Sequence, residues 1–140
     1  MKFLFFLLIS ACFSTSSSAQ ASWKIRLNDT TVLSTISENE ERNTIYLKPH
    51  QLKKKKDLLL TYTSTERKKE WERTMMVYNE KDQELVSKKG NELKIKNSEL
   101  LSFFKKSKQI KIYTIAVPTD PKLKASIRVR RVHLCTLVLH

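Results

Sequence analysis

Trp23, Ile25 and Leu27 alternate with Lys24 and Arg26, Leu93 and Ile95 with Lys94 and Lys96, and Ile110 and Ile112 flank Lys111. A hydrophobic period of two is the mark of a strand with one face in a core and one in water, and it is incompatible with a helix. Further strands are expected at 44–47, 58–63, 71–78 and 84–88, with a long last one over 125–139. Asn28-Asp29, Asn79 to Asp82, Lys89-Gly90-Asn91 and Pro118 to Pro121 supply the turns between them. About eight short strands at this spacing predict an all-β antiparallel β-sandwich of Greek-key or immunoglobulin-like type. A partly closed barrel is the structural alternative.

The last strand alternates up to Arg130, slips by one residue at Arg131, and resumes with Val132 and Leu134, which predicts a β-bulge near Arg130-Arg131. Its final part, 134–139, is apolar on nearly both faces, as a strand inside a sheet requires. One short helix is expected over Ser98–Lys106, with Asn97 as its cap, Glu99 in its first turn and Lys105 and Lys106 in its last. A second helical turn can begin at Pro49. Ile45, Leu47, Lys48, Gln51 and Leu52 align at a constant offset with Leu93, Ile95, Lys96, Glu99 and Leu100. This reads as two equivalent crossovers in the halves of a sandwich, or as coincidence.

The first residues have a different logic. Lys2 precedes the apolar run Phe3 to Ile9 and small residues follow, the anatomy of a secretion signal over 1–21 ahead of a single domain over 22–140. Cleavage after Ala19 or Ala21 satisfies the small-x-small rule. The alternative takes Ile9-Ser10-Ala11-Cys12 as a lipobox, with the domain anchored through Cys12. The run is too short and too interrupted to cross a bilayer, which takes roughly 20 apolar residues. The location that follows is periplasmic or extracellular.

Gly90 is the only glycine, so the glycine-rich loops that cradle phosphates have no material here, and no cofactor is called for. After loss of the signal only Cys135 remains, so no intramolecular disulfide can form. His50, His133 and His140 lack a second ligand at metal spacing. His133 and Cys135 lie two apart on one strand, beyond hydrogen-bond reach, and Cys135 among apolar neighbours reads as a small buried hydrophobe. His133 reads as a strand residue with its edge in solvent, and as a general base only under a functional reading. Trp23, Trp71 and the tyrosines read as core, with an exposed stacking platform as the other possibility.

Charge is what stands out. Lys and Arg number 27 against 14 Asp and Glu, and loss of Lys2 with the signal leaves 26 against 14, a net +12. Such an excess favours anionic partners. The outward positions of the expected strands are basic at Lys24, Arg26, Arg73, Lys94, Lys96, Lys111, Arg128 and Arg130, which would make one sheet face an anion-binding plate. The expected function is a non-enzymatic binding or structural module that contacts an anionic polysaccharide, lipid headgroups or an envelope protein, the last through strand addition at an edge. The opposing reading of the charge is a device for solubility. The rival class is a small extracytoplasmic hydrolase whose acid/base groups, from the acidic loop around Glu38, Glu40 and Glu41 and from His133, meet only in the fold. The run from Pro118 through Pro121 and Cys135 to Leu137 resembles the tail of small exported bacterial proteins of uncharacterised function. That resemblance implies a bacterial, exported origin and carries no activity.

Overall fold

The computed structural model describes residues 21–65 and 69–140; Cys12 and all of the expected secretion signal but Ala21 lie outside these residues. Nine strands and three short helices are present among them, in two sheets. The first sheet has the order β2-β1-β4-β7, from β1 (Ser22–Leu27), β2 (Thr30–Thr35), β4 (Leu58–Thr63) and β7 (Glu92–Ile95). The second has the order β3-β9-β8-β5-β6, from β3 (Thr44–Leu47), β5 (Trp71–Asn79), β6 (Glu84–Lys89), β8 (Gln109–Pro118) and β9 (Val132–Leu139). The helices are α1 (Pro49–Lys53), α2 (Asn97–Lys106) and α3 (Pro121–Ser126). The expected all-β sandwich is what forms, with one difference in direction. All pairings are antiparallel except β3 with β9, which is parallel.

The period-two residues do what the alternation demands. Ile25, Leu60, Leu93, Ile95, Ile110 and Ile112 are all buried, at 1% exposure or less. Trp23 joins the sheets: its ring stacks on Tyr62 with centroids 5.9 Å apart, and its Nε1–H donates to the Leu134 carbonyl across the sandwich at 2.9 Å. At one end α1 and α2 close the core with Leu52, Leu100 and Phe104.

The two aligned segments occupy matching places. β3-α1 leads from the second sheet to β4 in the first, and β7-α2 leads from the first sheet to β8 in the second. In α1 the Gln51 side chain accepts from the Lys48 backbone N–H at 2.8 Å; in α2 Glu99 accepts from that of Lys96 at 3.0 Å. Gln or Glu three residues into a helix is chemistry shared by both copies, because each satisfies a backbone donor just outside the first turn. The helix therefore begins one residue earlier than expected, and Asn97 is not its cap. Asn97 is buried instead, its side-chain amide donating to the carbonyls of Leu52 at 2.7 Å and Lys56 at 3.2 Å. It ties α2 to the other crossover.

Three further expectations are corrected. β2 was not read from the sequence, because in Thr30–Thr35 only Val32 and Leu33 are apolar and they are adjacent rather than alternating. It forms as the hairpin partner of β1 across Asn28-Asp29, where Asn28 takes a φ of 50°, a conformation Asn tolerates better than most residues. The long last strand is divided: Pro121–Ser126 is helical, capped by the Asp120 side chain accepting from the Lys122 N–H, and the strand begins only at Val132. Proline at the first helical position and Asp before it favour that helix over extended chain. The bulge lies further on than expected. Tyr113 pairs with His133 and Ile112 with Cys135, which leaves Leu134 as the extra residue.

Candidate functional site

The eight basic residues expected on one face are sorted by the fold into three settings. Lys24, Arg26 and Lys94 project from the outer face of the first sheet, and Lys96 follows immediately after β7. Register places Arg26 opposite Leu59 and Leu59 opposite Lys94, so these three form one row across β1, β4 and β7. Around this row Asn28, Asp29 and Asp57 rim a shallow depression. Its carboxylates stand off from the cations, Asp29 at 3.9 Å from Arg26 and Asp57 at 3.8 Å from Lys94. Lys24 and Lys96 have no carboxylate at ion-pair distance among the described residues.

Arg73 does not join them. It is buried, its guanidinium lying 4.0 Å above the Tyr62 ring and donating to the Thr114 hydroxyl at 3.2 Å. Position 73 shares the inward face with Met75 and Val77, so the expectation of an outward Arg73 is corrected by strand parity. An arginine is tolerated there because its flat cation stacks on an aromatic face while its N–H groups find acceptors.

The other cations belong to the outer side of the second sheet or to the segment before β9. Lys111 on β8 is paired with Glu40, and the hydrogen bond between them lowers the Glu40 pKa and raises that of Lys111. Arg130 donates to both carboxylate oxygens of Glu38, at 3.0 and 2.9 Å. Arg131 pairs with Asp82 at 2.9 Å, which raises its pKa, and lies 4.3 Å over Tyr113 and 4.8 Å over Tyr78. Arg128 is exposed, with no carboxylate at ion-pair distance among the described residues. A single basic plate is therefore absent: Lys111, Arg130 and Arg131 are each hydrogen-bonded to a carboxylate, whereas Arg26 and Lys94 have only longer ion pairs, and Lys24 and Lys96 have none among the described residues.

The outer face of the second sheet also carries a cluster that was not anticipated. Tyr78, Tyr113 and His133 form an edge-to-face chain with centroids 5.6 Å apart at each step. Of the aromatics assigned to the core, Trp23 and Tyr62 are there, whereas Tyr46 is 66% exposed and Tyr78 and Tyr113 are half-buried on this face. The legible signal was the outward parity of β5 and β8, where Met76, Tyr78, Tyr113 and Ile115 make both faces apolar. Such a strand is covered on both sides, here by Arg131 and by the loop carrying Glu38 and Glu40.

That loop brings acidic residues to His133, as the hydrolase reading requires, but the contacts are structural. Glu38 accepts from the backbone N–H of His133 at 3.1 Å. The His133 Nε2 lies 2.8 Å from the Thr136 hydroxyl, and Nδ1 is buried with no hydrogen-bond partner. An orphaned acceptor is cheaper than an orphaned donor, so the proton belongs on Nε2, directed at Thr136. The ring is 5% exposed rather than presenting an edge to solvent, and burial lowers its pKa. A base in this state faces protein, with its one free lone pair sealed from any substrate. Cys135 on the opposite side of β9 is fully buried, and burial raises its thiol pKa. It is held as an unreactive thiol.

Comparison with protein-family models, curated proteins and solved structures finds no match. The chemistry of the site is carried by its own geometry.

Proposed function

We propose that the chain is an exported, non-enzymatic binding module of bacterial origin that engages an anionic partner through the cations of its first sheet. The observation that carries this reading is the contrast between the sheets: Lys111, Arg130 and Arg131 are each matched by a carboxylate at hydrogen-bond distance, whereas Lys24, Arg26, Lys94 and Lys96 are not. Cations without a hydrogen-bonded carboxylate, on a serine- and threonine-bearing sheet face, raise the local concentration of anions at little cost in rearrangement. No helix among the described residues is long and apolar enough to cross a membrane. The immunoglobulin-like form of the sandwich belongs to the same reading. It is supported by β1 pairing with β4 in one sheet while β3 crosses to lie parallel to β9 in the other. The exposed edges β2 and β6 keep capture of an envelope protein by strand addition within its scope.

Retention on heparin across a salt series tests the reading, using the protein purified in its exported form. Lys24→Glu/Lys94→Glu should elute at markedly lower salt than the parent, because ionic contacts to a polyanion are lost steeply as salt rises. A parent protein that flows through at low salt, or a variant that elutes with it, would overturn the assignment. The hydrolase reading keeps one observation in its favour, the meeting of Glu38 and Glu40 with His133. The occupied carboxylates and the sealed imidazole weigh against it.

A further inference from the structure

We infer that the segment Pro121–Arg131, comprising α3 and the chain leading into β9, docks on the surface of an anionic lipid bilayer. This goes beyond the anion-binding reading above, which is carried by the first sheet: the segment lies on the side of the second sheet, and it points to the one anionic partner with an apolar layer behind its charge. Every residue from Thr119 to Arg131 is exposed, and α3 buries none of its side chains. Leu123 is 51% exposed, and Ile127 and Val129 are each 38% exposed. Interleaved with them are Lys122, Lys124, Arg128 and Arg130, and no acidic residue follows Asp120 in the chain.

A lone exposed leucine or valine is ordinary on a protein surface. Three on one short segment, alternating with cations and free of acids, match an interface that offers phosphates above and hydrocarbon below. A dissolved polysaccharide or nucleic acid would meet the cations and leave Leu123, Ile127 and Val129 in water. A bilayer takes both sets, the cations at the headgroups and the apolar side chains about 5–10 Å in, at the acyl boundary.

The segment is also held in place, which removes much of the ordering cost of binding. At its start Pro121 and the Asp120 cap fix the first turn, and the Ile127 backbone N–H donates to the Leu123 carbonyl at 3.1 Å. At its end Glu38 grips Arg130 by both carboxylate oxygens, and Asp82 with the two tyrosine rings fixes Arg131. The pairs that neutralise Arg130 and Arg131 therefore act as anchors, leaving Lys122, Lys124 and Arg128 to meet headgroups.

The test compares vesicles of equal parts phosphatidylglycerol and phosphatidylcholine with vesicles of phosphatidylcholine alone, by co-sedimentation of the exported form. The parent should bind the mixed vesicles and not the neutral ones. Leu123→Ser/Ile127→Ser/Val129→Ser, which keeps every charge and alters only exposed positions, should bind the mixed vesicles on the order of a hundredfold more weakly while eluting from heparin with the parent. Equal melting curves for the two proteins would show that the fold is unchanged. The lipid assignment is overturned if the triple variant binds mixed vesicles as the parent does. It is also overturned if the parent ignores them while keeping salt-sensitive heparin retention, an outcome that leaves the anion-binding reading standing. A parent that is not retained on heparin and does not bind the mixed vesicles would remove both.

Discussion

Replacing Trp23 by Phe removes the hydrogen bond at the point where the two sheets are joined, together with part of the buried ring, so the loss is at least that of the hydrogen bond. Phe keeps an aromatic ring against Tyr62 but removes the indole N–H that reaches the Leu134 carbonyl. Leu134 is the bulged residue of β9 and has no register partner on β8 or on β3. Its carbonyl lies at a completely buried position, so the indole satisfies an acceptor that the ladder does not pair by register. Leaving such a group without its partner costs about 1–3 kcal/mol. For a domain of this size that lowers the melting midpoint by roughly 4–12 °C. Urea and thermal denaturation followed by circular dichroism would measure it, beside Ile25→Val, two residues along the same strand. That control removes one methylene and costs about 0.5–1.5 kcal/mol with no polar consequence. If Trp23→Phe is no more destabilising than Ile25→Val, the bulge carbonyl is satisfied in another way and the indole is not the link between the sheets.

Two other expectations follow from the titratable groups of β9. His133 is held below its ordinary pKa by burial, so its contribution is complete above pH 6.5 and is lost as pH falls through the lower folded value, where the unfolded chain takes up the proton first. Urea midpoints measured at intervals from neutral pH into the acid range should fall for the parent over that window and fall less for His133→Phe; parallel curves would refute the assignment. Cys135 should be inert to a thiol reagent such as dithionitrobenzoate in the native protein and should titrate fully in denaturant. Rapid labelling of the native state would show that β9 opens far more readily than its burial implies.

Much of the fold was legible because it is written in short-range rules. Alternation at Trp23 to Leu27, Leu93 to Ile95 and Ile110 to Ile112 specifies strand and buried face together, since a slip of one residue would turn every side chain outward. The turns at Asn79 to Asp82 and at Gly90 were equally readable: the Asn79 side chain accepts from the N–H groups of Lys81 and Gln83, and Gly90 takes a φ of 118°. β2 escaped notice because it is specified by its hairpin with β1 rather than by its own pattern. Within 125–139 the alternation of Ile127 and Val129 with arginines imitated a strand that no neighbouring strand takes up. A β pattern needs a ladder partner to become a β-strand, and none is supplied to those residues.

The sequence by itself determined that this chain makes two half-buried sheets with a large positive charge, because period, turn chemistry and net charge are local or additive properties. Only the tertiary structure decided which of those charges are paired. Lys94 and Lys111 occupy equivalent places in an alternating strand pattern, yet Lys94 stands 3.8 Å from its nearest carboxylate partner while Lys111 is joined to Glu40 by a loop from far along the chain. Arg73 shares the parity of Met75 and Val77 and is buried with them, but only the fold supplies what makes an inward cation tolerable there, the Tyr62 ring of the other sheet 4.0 Å away. Whether a cation is open or neutralised depends on which distant segment folds over it. That is a property of topology, and no window of sequence contains it.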